Sequence, residues 1–64
     1  MDEEKSMSPI EALNMALAKE EASIELYRRF AEEYKVAEEI FIFLFNEENK
    51  HKTLIEKKIF ELMR

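Results

Sequence analysis

Three side chains carry the chemistry this sequence offers: Glu20, Glu48 and His51. His51 is the single histidine and follows Glu48 by three positions. On a helix that spacing puts both side chains on one face, a turn apart. A carboxylate and an imidazole so placed can hold one metal ion while the carboxylate bridges to a second. Oxygen and imidazole donors suit iron or manganese, with zinc as the further candidate. There is no cysteine, so thiolate metal sites and disulfides are excluded.

Two helices must position these groups. Ser8-Pro9-Ile10-Glu11 reads as a capping box, Ser-x-x-Glu, with proline at the first helical position, where its missing N–H costs nothing. The first helix is therefore expected over about 9–34, after a flexible tail at 1–7. Its apolar stripe runs Ile10, Leu13, Leu17, Ile24, Tyr27, Ala31, Tyr34, and the one gap falls at Glu20. At about 100° per residue, Glu20 lies within about 20° of the stripe's centre. A second stripe, Ala37, Phe41, Leu44, Ile55, Ile59 and Leu62, defines a helix over about 37–63, with Glu48 and His51 inside it. No glycine or proline marks a turn, so one long unbroken helix is the alternative, but the charged, β-branched step at Lys35-Val36 favours a hairpin. A short connection makes the helices antiparallel neighbours. Residues 8–64 then form one all-α hairpin.

Fifteen acidic residues are present, and two of them project into apolar seams. Burying an unpaired carboxylate costs several kcal/mol even after relaxation. A metal ion neutralises that charge and uses the lone pairs. One chain supplies one Glu and one Glu-x-x-His, whereas a four-helix di-iron site needs twice that set. A dimer of hairpins provides it, as four carboxylates and two imidazoles around two metal ions. Size points the same way, because a 64-residue chain without disulfides has a marginal core of its own. A homodimer, or a larger even-numbered homo-oligomer, is expected.

The residues around these ligands resemble a known family. Ala16 to Glu33 is similar to the first ligand helix of rubrerythrin-like, ferritin-like proteins: ligand Glu20, small Ser23, then Tyr27 and Ala31. Phe41 to His51 is similar to the second ligand helix, with Glu48 and His51 as ligands. The likeness extends over roughly residues 10–62. Half-ferritins, the two-helix encapsulated-ferritin-like members, build a ferroxidase centre across a dimer interface. The resemblance thus implies a ferritin-like four-helix bundle made of two hairpins. It implies two iron ions per dimer and oxidation of Fe(II) by dioxygen or peroxide, with Glu20, Glu48 and His51 as metal and catalytic residues. Tyr27 would hydrogen-bond a ligand carboxylate. The chain departs from rubrerythrins in lacking a cysteine-rich electron-transfer module. No encapsulin-targeting tail is recognisable after Arg64.

A net charge of -5 offers no surface for nucleic acid or anionic membrane. The longest apolar run, Ile40 to Phe45, is far short of the roughly 20 residues that span a bilayer. The acidic, polar amino terminus does not read as a signal peptide, so a cytoplasmic location is expected. The alternative reading is a metal-free helical dimerisation or interaction module, in which the glutamates form a polar layer that sets register. The Ile40–Phe45 run is apolar around the whole helix circumference, which calls for packing beyond a simple dimer or for a partner.

Overall fold

A computed structural model describes residues 7–64. Helix α1 spans Pro9–Glu33, a single 3-10 turn spans Lys35–Ala37, and helix α2 spans Glu38–Met63. The tail expected over residues 1–7 lies outside the described residues except for Met7. That residue shares a small hollow with Ala12, Met15, Ala16 and Lys19. Met7 precedes the N-cap and Ala12 is the fourth helical residue, the positions of a hydrophobic staple.

The start of α1 follows from its first four side chains. Ser8 Oγ accepts from the Glu11 N–H at 3.1 Å, and the Ser8 N–H donates to Glu11 Oε1 at 3.0 Å. The capping box is thus formed in both directions. Ser8→Ala removes one acceptor for an orphan N–H and is expected to cost about 1 kcal/mol, read as a lower urea midpoint with an unchanged slope.

The turn is made without glycine. Tyr34 leaves the helix at φ -116°, ψ 76°, and no described residue has a positive φ. Tyr34 is therefore the C-cap of α1, one residue short of the helix end read from the stripe. Its N–H still donates to the Phe30 carbonyl at 2.8 Å. Val36 at the tip is 99% exposed. Glu38 and Glu39 open α2, where carboxylates meet the positive end of the helix dipole.

The hairpin is antiparallel. Glu20 meets His51 near the middle, whereas Phe30, ten residues later in α1, meets Phe41, ten residues earlier in α2. Close to the turn, Phe41 is ringed by aromatics. Its ring centroid lies 5.3 Å from Phe30, 6.3 Å from Tyr27 and 6.4 Å from Tyr34. The Ile40–Phe45 run lies within α2 and is helical throughout.

Side by side, the helices form a plate 43 × 30 × 12 Å. Its thickness is that of one helix with its side chains. The radius of gyration is 14.6 Å, against about 11 Å for a compact chain of this length. No described residue is fully buried. Ile10, Leu13, Leu17, Ile24, Phe41, Leu44, Ile55 and Ile59 are half-buried in the seam. Tyr34 at 51% and Leu62 at 46% stay exposed, although their spacing puts them in the stripes. Each sits at an end of the hairpin, where the opposite helix has run out. Met15, Ile40, Ile42, Phe43, Leu54 and Phe60 are exposed as well. No helix among the described residues is long and apolar enough to cross a membrane.

Candidate metal centre

The site sits at the middle of the seam, two turns from the Phe41 cluster. Glu20 comes from α1 and Glu48 and His51 from α2, and their nearest ligand atoms lie within 4.8 Å of one another. His51 Nδ1 is 3.2 Å from Glu48 Oε1 and 3.8 Å from Glu20 Oε1. Among the described residues this is the one cluster of three ligand-type side chains that converges so closely. The three residues singled out by spacing are therefore brought together by the hairpin.

The exposure of the three groups is uneven. The Glu20 and Glu48 side chains are 24% and 21% exposed, whereas that of His51 is 52% exposed. The carboxylates lie between the helices, and the imidazole stands at the edge of the seam. The site thus opens on the face of the plate that carries His51.

Glu20 is the strained member. Its Oε1 is shielded from water and has no hydrogen-bond partner. The Glu20 carboxyl is raised above the ordinary glutamate range, first by a proton it can share with Glu48. Burial and repulsion from Glu48 raise it further, and His51 pulls the other way. Two facing carboxylates require a proton or a cation between them.

This has a consequence for stability. A carboxyl whose folded pKa exceeds its unfolded value favours folding in its protonated form. That contribution is fully present below the ordinary glutamate range and is lost as pH rises through the raised folded value. The metal-free protein is expected to lose thermal stability over that window, and Glu20→Gln is expected to flatten the loss. Melting curves from pH 4 to pH 8 in the presence of chelator test this.

Flanking groups complete the geometry. Lys52 Nζ lies 3.6 Å from Glu21 Oε2 across the seam, so the neighbours of two ligands tie the helices together. Spacing alone turns Glu21 away from the stripe. The signal that could have found the pair is opposite charge next to the ligands in an antiparallel register. Asn49 Nδ2 donates to the Phe45 carbonyl at 2.9 Å, and Thr53 Oγ1 to the Asn49 carbonyl at 3.1 Å. Both are bonds back to the preceding turn of the same helix. Tyr27 stacks its ring on Phe41.

Outside the seam, Arg28 bridges Glu25 at 2.6 Å and Glu32 at 3.2 Å. Its guanidinium holds the Glu25 carboxyl below the usual carboxylate range. Lys58, which falls near the seam by spacing, pairs with Glu61 at 3.2 Å.

Three side chains leave open positions on an iron or manganese ion, which carboxylate bundles fill with a larger shared set. The donor types fit such an ion, and the unpartnered oxygen of Glu20 gives it a place. No family model matches the chain, and neither a curated protein nor a solved structure matches it.

Proposed function

We propose that the protein is a ferritin-like di-metal carboxylate protein whose site is completed when two hairpins join through the faces bearing His51. The observation that carries this is the shielded, unpartnered Glu20 Oε1 beside Glu48 and His51. Two copies contribute four carboxylates and two imidazoles. Two divalent cations balance that charge, so the buried cluster becomes neutral.

Iron is the metal favoured by this donor set, with manganese and zinc as competitors. The activity that follows is oxidation of Fe(II) by dioxygen or peroxide, with iron supplying the electrons. Glu20, Glu48 and His51 would hold the ions, and the ions would supply the redox chemistry. Tyr27 is assigned a hydrogen bond to a ligand carboxylate once the second hairpin is in place.

The test is anaerobic loading with Fe(II), followed by metal analysis and molar mass. About one iron per chain in an even-numbered oligomer is expected, and consumption of dioxygen or peroxide should follow. Uptake without consumption leaves a metal-binding protein with no turnover.

One observation favours a second reading. The Glu20 carboxyl is pushed up first by its hydrogen bond to Glu48, so a protonated Glu20 can stand beside Glu48 without a metal. The three groups would then be a polar layer that sets register in a metal-free interaction module. That reading expects chelators to leave thermal stability unchanged.

A further inference from the structure

Like charges face each other where the two helices meet. Glu20 stands on α1 and Glu48 on α2, and their charged forms repel, which pushes the helices apart at the site. The next residues reverse the sign. Glu21 follows Glu20, Lys52 follows His51, and Lys52 Nζ reaches Glu21 Oε2 at 3.6 Å across the seam. Among the described residues this is the one lysine or arginine bridge from α1 to α2. The pairs made by Arg28, Lys35, Lys50 and Lys58 each join residues three or four positions apart.

At about 100° per residue, Glu21 and Lys52 turn to the side of the seam opposite His51. Nearer the turn, that face has a hollow of about 300 Å³ over Ala31. Its rim cations, Arg28 and Lys35, are already held by Glu25, Glu32 and Glu38. Lys52 differs from the other paired lysines in its shelter. Its side chain is 33% exposed, whereas those of Lys35, Lys50 and Lys58 are mostly exposed. Its stem therefore lies along the seam while the amine reaches outward to Glu21.

We propose that Lys52 is a positioning residue for the metal centre: through Glu21 it ties α1 to α2 beside the facing carboxylates, so that Glu20, Glu48 and His51 are set for an ion before one arrives. This rests on the reading of those three groups as metal ligands. Pre-organisation is the physical basis. An ion must meet ligands from both helices, so any spreading of the empty site is work that binding has to reverse. A lysine beside a cation site also has a direct effect of the opposite sign. Its charge repels a divalent ion, and without a positioning role its removal favours binding. The direction of the change therefore separates the two roles.

Lys50 provides the comparison. It precedes His51 by one residue, and it pairs at 3.2 Å with Glu47 within α2. Lys50→Met and Lys52→Met remove the same charge at the same distance in sequence from His51, but only the second cuts a link between helices. Titration of the full chain with Mn(II), without oxygen and well below the melting temperature of each variant, reads affinity apart from turnover. Lys52→Met is expected to weaken Mn(II) binding by roughly two- to fivefold, the range of a partly exposed ion pair. Lys50→Met should leave binding unchanged or tighten it. Lys52→Arg, and the exchanged pair Glu21→Lys with Lys52→Glu, should return it to near the wild-type value. The proposal is overturned if Lys52→Met binds Mn(II) as tightly as Lys50→Met does, or if the exchanged pair recovers none of the loss, while the wild type still loads. A wild-type chain that takes up no metal overturns the metal reading itself, and this proposal with it.

Discussion

Adding Fe(II) or Mn(II) to the metal-free protein, without oxygen, is expected to raise its melting temperature by about 15–30 °C. A ligand that binds only the folded state at about 1,000 times its dissociation constant contributes about 4 kcal/mol. In a domain of this size each kcal/mol moves the midpoint by roughly 4–8 °C. The gain is large because the cations relieve a defect already built into the hairpin, the unpartnered Glu20 oxygen facing Glu48. Glu20→Ala, Glu48→Ala and His51→Ala should each abolish the rise. Glu20→Leu separates the terms further. In chelator it should melt higher than the wild type, because an apolar side chain replaces a strained carboxyl in the seam. With metal it should show no further gain. Equal shifts in all three alanine variants would mean that the ion binds elsewhere.

Phe41→Ala is expected to be the most damaging single change to the hairpin itself. The ring touches Tyr27, Phe30 and Tyr34, so its loss removes three aromatic contacts together. Truncating a core phenylalanine costs about 3–5 kcal/mol. Phe41 is half-buried, so about 2–4 kcal/mol is the expected loss, enough to leave much of the metal-free protein unfolded. Urea titration followed by helical circular dichroism reads it directly. Val36→Ser supplies the contrast, since a side chain 99% exposed at the turn should change stability by no more than about 0.5 kcal/mol. If the two variants lose stability equally, the aromatic ring does not anchor the turn end.

The helices, the start of the first one and the three residues that meet are all legible in local spacing. The capping box at Ser8 and Glu11 is local chemistry, legible because its partners lie three positions apart. The seam was legible because an apolar stripe at helical period has one face to hide, and Glu20 stood out as the break in it. The hairpin turn was harder to read. It rests on Tyr34 leaving helical geometry without a glycine, which propensity does not encode.

Which way the site opens, and how completely the apolar surface is hidden, follow from the packing of one helix on the other. Exposure depends on what stands across the seam, so two carboxylates could be mostly sheltered while the imidazole beside them stayed half open. Tyr34 and Leu62 obey the stripe and still face water, because a stripe sets direction along a helix but not whether a neighbour reaches that far. The bridge between Glu21 and Lys52, 31 positions apart, and the hollow over Ala31, lined from Arg28 to Asn46, both arise from antiparallel register. Local periodicity does not hold that relation; the packing of one helix against the other does.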